Sequence, residues 1–197
     1  MTIPFAQSKT RENLMRAFAG ESQARNRYTF GASQAKAENL FVLASALTYT
    51  ADQEKEHAEI FYRLLQDSKG ENVRVDGAYP VDISDSLVQI LRYAQHNEYE
   101  EYQTVYRVFG EIAQQEGYPY IATLFHGIAK IEKTHGDRFA RYADLLDARQ
   151  LFHAPTPTTW LCLNCGHLHT DTDAPQTCPI CSHAQGYFLR ADMIPFR

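Results

Sequence analysis

The sequence predicts a mainly α protein: a four-helix bundle with one long crossover connection, followed by a small β-type domain built around cysteines. The first reason is the helical period of the apolar residues, which continues through residues 10–147 with proline only at Pro80 and Pro119. The second reason is that the cysteines all lie between Cys162 and Cys181. Cysteines so close together are typical of a metal site rather than of a disulfide framework.

The composition excludes several classes of protein. A chain of 197 residues with 44% hydrophobic and 22% charged side chains is long enough and apolar enough to bury a core. No apolar run approaches the roughly 18 residues that a membrane span needs, and the N-terminus lacks the pattern of a secretory signal. The net charge of −5 disfavours binding to nucleic acid through bulk charge. We therefore expect a soluble cytoplasmic protein that binds neither membranes nor nucleic acid.

Four long helices account for the first part of the chain. They are predicted at residues 10–36, 38–66, 84–115 and 119–147. Ser84 is expected to cap the third helix, and Pro119 suits the first turn of the fourth. Short connections make the first and second helices, and the third and fourth, antiparallel neighbours. The connection at 68–83 is long enough to travel the length of the bundle, as the single crossover of ferritin-like folds does.

The C-terminal part has a different character. We place the bundle at 1–149, a linker at 150–159 and a small domain at 160–197. Pro155 and Pro157 are expected to stiffen the linker. The small domain has too few apolar residues for a good core, so a metal ion is expected to hold it together.

Carboxylates interrupt the apolar stripe of every predicted helix near its middle. These inward-facing acids are Glu21, Glu54, Glu98, Glu101 and Glu132. An unpaired buried carboxylate costs several kcal/mol or becomes protonated, and five that converge would repel one another. Bound cations resolve the conflict, because hard metals favour carboxylate oxygen and imidazole also suits iron.

Two of the acids belong to Glu-x-x-His pairs, Glu54 with His57 and Glu132 with His135. Residues three apart lie on one face of a helix. Together with a single glutamate on each of the other two helices, the pairs form the pattern of di-iron or di-manganese bundles. Glu101 is the additional acid, since the equivalent place in the first helix holds an alanine.

Other polar residues are interpreted more simply. Tyr28 and Tyr106 are the preferred candidates for hydrogen bonds to the ligating carboxylates. Acids off the stripes are expected on a solvated face: Glu56, Glu59, Glu100, Glu111 and Glu116. Histidines without a carboxylate at ligand spacing are expected to be ordinary: His96, His126 and His153.

The cysteines form two CxxC pairs: Cys162, Cys165, Cys178 and Cys181. Four thiolates at this spacing bind one tetrahedral ion, and the spacing alone favours iron and zinc equally. Residues 158–197 contain two arginines, no lysine and three aspartates, which disfavours a ribbon that binds nucleic acid. A one-electron iron centre makes sense beside a redox-active pair of metals, whereas zinc would contribute only stability.

The residues as a set resemble the rubrerythrin family over essentially the whole chain. The matching segments are AFAGESQARNRY, TADQEKEHA, NEYEEY, IEKTHGDRF, WLCLNCGHLH and CPICSH. The resemblance implies a ferritin-like di-iron bundle joined to a rubredoxin-like iron tetrathiolate domain, with three irons per chain and zinc as a substitute. Its implied di-iron ligands are Glu21, Glu54, Glu98, Glu101, Glu132 and His135. His57 would exchange with Glu101 as the iron changes oxidation state, and the four cysteines would hold the single iron.

The resemblance also implies an activity. It is the reduction of hydrogen peroxide to water in oxidative-stress defence, with electrons relayed one at a time through the tetrathiolate iron from a reductase or redox protein. Family members usually form homodimers, so a homodimer is expected. One departure is Ser182, where rubredoxins commonly have glycine.

Two alternatives remain open at this point. A ferritin-like ferroxidase or iron-handling protein with a structural zinc ribbon would have no need for a one-electron centre. A zinc-stabilised interaction module with a vestigial bundle would require the five inward carboxylates to be accidental.

Overall fold

The computed structural model describes residues 2–194 and confirms the predicted fold class. The helices are α1 (Lys9–Ala37), α2 (Phe41–Arg63), α3 (Leu87–Glu100), α4 (Tyr106–Gln115) and α5 (Pro119–Asp147). The strands are β1 (His153–Cys162), β2 (Leu168–Asp173) and β3 (Phe188–Arg190), which form an antiparallel sheet in the order β2-β1-β3. In this part of the chain no helix has both the length and the apolarity to cross a membrane.

The bundle packs as two helical hairpins, α1 with α2 and α3–α4 with α5. Its core consists of two apolar clusters. One contains Leu47, Leu91 and Phe139, and the other contains Leu14, Phe61 and Phe125, among others. Along every helix the predicted inward acids lie between these clusters, so apolar layers above and below separate the polar centre from water.

The third predicted helix differs from expectation at its middle. Residues Glu101–Val105 form a π-helical turn that joins α3 to α4 without a break in the helical backbone. Because a π turn contains an extra residue, it advances the inward stripe by one position. Tyr106 and Ala113 are therefore buried, in place of the Val105 and Ile112 that a regular heptad would point inward.

Helix ends also shift by a few residues. The N-cap of α3 is Ser86, whose Oγ accepts from the Gln89 N–H at 3.4 Å, and not the predicted Ser84. The second helix begins at Phe41 rather than at residue 38 because Asn39 takes a left-handed conformation with φ 59°. Pro119 is in the first turn of α5, as predicted.

Glu116 is not on a solvated face, and that prediction was wrong. Its side chain is buried at the turn between α4 and α5. It accepts hydrogen bonds from the Lys9 N–H at 3.0 Å, the Thr10 N–H at 2.8 Å and the Thr10 hydroxyl at 2.6 Å. The first N–H groups of a helix have no partner within the helix, so Glu116 caps α1 from a position more than 100 residues later in the chain.

The segment 150–159 differs from the predicted linker, because β1 begins at His153. The pairing of β1 with β2 is interrupted between His153 and Thr158, and Pro155 and Pro157 lie in that interval. Proline has no N–H to donate, so it is accommodated where the ladder is broken. The small domain has its own core around Trp160, and it contacts the bundle where Tyr187 stacks on Phe41 with ring centroids 4.1 Å apart.

Candidate metal centres

The helices bring six predicted ligands together at the centre of the bundle. In the described chain they form two overlapping donor groups: Glu21, Glu54, His57 and Glu132, and Glu54, Glu98, Glu132 and His135. Within each group, one donor atom from every residue lies within 4.8 Å of the others. Glu54 and Glu132 belong to both groups. Each would therefore be able to supply an oxygen to both of two bound ions.

The burial of these side chains tests whether metal ions fit. The four glutamates in the groups are at most 1% exposed, and His135 is fully buried. At least one oxygen of each glutamate, and Nδ1 of His135, makes no hydrogen bond of acceptable geometry, although carboxylate and imidazole atoms lie within ion-pair distance of one another. Buried polar atoms are normally satisfied, and these converge on one region. Two cations would satisfy them, and the oxygen and imidazole donors fit iron.

The imidazoles face the carboxylates through their Nδ1 atoms. Nδ1 of His135 lies 2.8 Å from Glu54 Oε1 and 2.8 Å from Glu132 Oε2. Nδ1 of His57 lies 3.0 Å from Glu132 Oε1 and 3.2 Å from Glu54 Oε2. In both histidines Nδ1 is therefore the nitrogen placed to bind metal.

A hydrogen-bond network that the sequence did not reveal holds Nε2 of His135, the ring nitrogen that faces away from the carboxylates. Its Nε2 lies 3.0 Å from Gln53 Oε1, and Arg138 donates to the same oxygen at 3.2 Å and to Thr50 Oγ1 at 2.7 Å. Because the arginine fixes the amide oxygen toward the ring, Nε2 carries a proton, and Nδ1 is left as the nitrogen that a metal would bind. Only the position of Gln53 beside Glu54 could have suggested this role.

Replacement of Gln53 by leucine should weaken metal binding, because the protonation and orientation of His135 would no longer be fixed. Loss of such a supporting partner typically lowers metal affinity by about 10- to 100-fold. Competition between the protein and a chelator for Co²⁺ would measure the change. Gln53→Glu, which keeps an acceptor for His135 and Arg138, should retain most of the affinity. Unchanged affinity in Gln53→Leu would contradict the role.

The carboxylates and imidazoles of this site hold protons that offset their mutual repulsion. Burial is the main reason that the pKa of Glu98 is raised to about 8 and that the pKa of Glu21 is raised well above its ordinary value. Despite burial, contacts with His135 and His57 lower the pKa of Glu54 to about 2. Burial also opposes protonation of His57, but contacts with Glu132 and Glu54 raise its pKa to about 9. Metal binding must displace several of these protons.

Both predicted tyrosines contact ligand carboxylates. The Tyr28 hydroxyl donates to Glu98 Oε1, and the Tyr106 hydroxyl donates to Glu21 Oε1 at 2.5 Å. Burial raises the pKa of each phenol well above its ordinary value, so both remain donors. The π turn is what brings Tyr106 to the inward face.

Glu101 occupies a different place from the other acids. It is half-buried and belongs to neither donor group, whereas His57 supplies the fourth donor of the first group. Glu101 lines a cavity of about 290 Å³ together with Tyr106 and residues of the crossover connection. Burial and the neighbouring Glu98 carboxylate raise the pKa of Glu101 well above its ordinary value.

The cysteines form the second centre. Sγ of Cys162 lies 3.7 Å from that of Cys181, and Sγ of Cys165 lies 3.7 Å from that of Cys178. Four sulfurs bound tetrahedrally at about 2.3 Å from one ion would lie about 3.8 Å apart, so the geometry fits a single iron or zinc.

The two cysteine loops have the same local structure. Gly166 N–H donates to the Cys162 carbonyl and Ser182 N–H to the Cys178 carbonyl, each at 2.9 Å. Both residues are left-handed, with φ of +78° and +62°. Ser182 thus adopts the conformation that glycine takes in the first loop. The backbone N–H of His183 lowers the pKa of Cys181 to about 6, which favours the thiolate that a metal binds.

Comparison with known proteins gives one consistent result. The rubrerythrin family model matches residues 12–143, and the model of the rubrerythrin rubredoxin-like domain matches residues 160–189. A rubrerythrin of Clostridium perfringens is 40% identical over 92% of this chain and 93% of its own length. A rubrerythrin of Porphyromonas gingivalis is 41% identical over 92% and 89%.

Solved structures agree with the sequence comparison. A structure of nigerythrin in a mixed-valence state matches with a TM-score of 0.62 and 26% identity, and covers 96% of this chain and 91% of that one. The two family models follow each other along the chain in the order of the bundle and the cysteine domain. The chain belongs to the rubrerythrin family, and its two centres fit three iron ions.

Proposed function

We propose that this protein is a cytoplasmic non-haem di-iron peroxidase that reduces hydrogen peroxide to water in oxidative-stress defence. One observation carries the proposal: a two-ion carboxylate centre with a cavity beside it and a four-cysteine centre are in the same chain. A storage or ferroxidase protein needs only the first of these. Membership of the family supports an oxidoreductase with a redox partner, and the proposal includes assembly as a homodimer.

The residues at the cavity wall suit this reaction. Reduction of hydrogen peroxide to two waters consumes two electrons and two protons. When bound, the bundle irons supply the electrons, and the tetrathiolate iron returns them one at a time. Glu101, with its raised pKa, holds a proton at the wall of the cavity. Tyr106 fixes the Glu21 carboxylate by a hydrogen bond, so that this ligand keeps its position as the charge of the site changes.

The cysteine domain is built to exchange electrons with a partner. Cys165 is exposed, and Leu163 and Ile180, within the two cysteine loops, are 37% and 69% exposed. An apolar rim around a metal centre suits brief docking of a redox protein, because it brings the two centres close without a large interface. This rim supports the proposal that an external redox protein delivers the electrons.

Stopped-flow oxidation of anaerobically reduced protein tests the function, with Glu101→Ala as the informative variant. We expect wild-type protein to be oxidised by peroxide faster than by oxygen. Glu101→Ala should keep both bundle ions, because Glu101 belongs to neither donor group, but react with peroxide roughly tenfold more slowly, equivalent to about 1.4 kcal/mol of barrier. Its reaction with oxygen should change less.

Glu100→Ala is the matched control, because Glu100 is exposed on the same cavity but off the inward stripe. It should react like the wild type. Wild-type protein that reacts with oxygen but hardly with peroxide would instead support an iron-handling role. Wild-type peroxide rates in Glu101→Ala with two ions bound would show that Glu101 takes no part.

A further inference from the structure

The cavity beside Glu101 lies next to the metal centre, because Tyr106 in its wall donates a hydrogen bond to the ligand carboxylate of Glu21. Of the five inward acids, Glu101 alone is more than 1% exposed. The cavity of about 290 Å³ that it lines is walled by α1, by α3 and α4 with the π turn between them, and by the crossover residues Gly77–Pro80. Its other polar lining includes Arg16, Gln23 and Asn97. A small polar molecule that reaches the centre through this cavity must pass the crossover.

The crossover has no regular structure over this cavity, so side chains must hold it. We call residues 76–83 the strap; they form neither helix nor strand. The Tyr79 hydroxyl donates to the Arg16 carbonyl at 3.1 Å, and Asp76 pairs with the Arg16 guanidinium at 2.7 Å. The Tyr79 ring lies over Gly20 of α1, where a Cβ atom would be 3.7 Å from the ring.

Asp82 forms the most protected contact of the strap. Its Oδ2 accepts from Arg27 Nη1 at 2.5 Å and from Asn97 Nδ2 at 2.6 Å, so one oxygen joins the strap to both α1 and α3. The side chains of Arg27 and Asp82 are only 16% and 17% exposed. A pair with so little exposure is screened less by water than a surface ion pair is.

The neighbours of Asp82 do not anchor the strap. Val81 and Ile83 are 83% and 85% exposed, so their apolar side chains bury almost no area against the bundle. The strap is therefore fixed at two places, at Tyr79 with Asp76 and at Asp82. Loss of the Asp82 contact would free one end of the strap while the helices that carry the metal ligands stay in place.

We propose that the strap is a substrate-selective entrance: fixed by Asp82 and Tyr79, it admits hydrogen peroxide to the metal centre and excludes bulky organic hydroperoxides. The proposal rests on the proposed peroxidase function and adds the size of substrate that the site accepts. Arg16, Gln23 and Asn97 in the cavity wall offer hydrogen bonds to a small polar oxidant. Strap residues Gly77–Pro80 form one wall of the cavity, so the position of the strap sets the width of its opening.

The test compares Asp82→Ala with Asp85→Ala, which removes the same charge from an exposed residue of the same connection. Reduced proteins are mixed with hydrogen peroxide and with cumene hydroperoxide in a stopped-flow instrument. In Asp82→Ala the rate with cumene hydroperoxide should rise about tenfold relative to the rate with hydrogen peroxide. Asp85→Ala should keep the wild-type ratio, and Tyr79→Phe, which loses only the hydroxyl, should shift it in the direction of Asp82→Ala.

A second measurement separates this proposal from the proposed function. The rate of Co²⁺ uptake by metal-free protein, followed by visible absorption, should rise severalfold in Asp82→Ala and not in Asp85→Ala, because the ion must pass the same entrance. Faster uptake in a protein that no peroxide oxidises would overturn the peroxidase function and leave the strap as the entrance. If the two aspartate variants have the same rate of Co²⁺ uptake and the same ratio of cumene hydroperoxide rate to hydrogen peroxide rate, the proposal that the strap is the entrance would be overturned.

Discussion

Replacement of Cys178 by serine is expected to abolish steady-state peroxide reduction while one oxidation of the reduced bundle irons survives. Cys178 is buried in the core of the small domain, and its sulfur lies 3.7 Å from that of Cys165. Without it the four-cysteine group cannot hold its ion tetrahedrally. Electrons then cannot return to the bundle, so turnover should fall by roughly 100-fold or more, equivalent to about 2.7 kcal/mol of barrier.

Visible spectra and kinetics check this expectation together. Wild-type protein with ferric iron on four thiolates should be red, and Cys178→Ser should lose that colour. Cys165→Ser, at an exposed position, should give the same result without a change in the domain core. Ser182→Gly is the control that keeps all four sulfurs and suits the left-handed backbone, so colour and turnover should remain. A colourless wild type with one zinc per chain after iron-replete growth would rule out the relay.

Much of the bundle was predictable because the sequence patterns that define its helices and ligand pairs are local. A period of 3.6 residues defines the helices, and a Glu-x-x-His pair places two donors on one face whatever lies around it. The predicted ligands of α2 and α5 depend only on such spacing, and the structure brings these side chains together. The cysteine loops are local in the same sense, since each is closed by a hydrogen bond within five residues.

The π turn at Glu101–Val105 could not be predicted from spacing. The sequence EYQTV contains no proline or glycine that would predict a break in the helix, and the only sign was Glu101 itself, the acid with no counterpart in α1. The turn places Tyr106 inward and leaves Glu101 at the cavity wall. Its effect depends on the helices that pack around it, which the local sequence does not specify.

The remaining surprises depend on contacts between distant residues. Glu116 caps a helix that begins more than 100 positions earlier, and Gln53 holds a histidine on another helix. Asp82 accepts from both Arg27 and Asn97. A glutamate that caps a helix and a glutamate that faces water cannot be told apart from a single sequence. They differ only in the hydrogen-bond partner that the fold brings to them.

Glu132→Ala is expected to lose both bundle ions, whereas Glu21→Ala should lose only one. Glu132 belongs to both donor groups and Glu21 to a single group. Removal of Glu132 would take one donor from each group and leave each group with three. Removal of Glu21 leaves the second group, of Glu54, Glu98, Glu132 and His135, complete.

Metal analysis after iron loading, together with Co²⁺ titration, counts the bound ions in each variant. Glu54→Ala should behave like Glu132→Ala, because Glu54 is the other shared donor. Far-UV circular dichroism should show that all three variants keep their helices, since the apolar clusters on both sides of the site are untouched. Two tightly bound ions in Glu132→Ala, or none in Glu21→Ala, would contradict the assignment of Glu132 and Glu54 as the bridging pair.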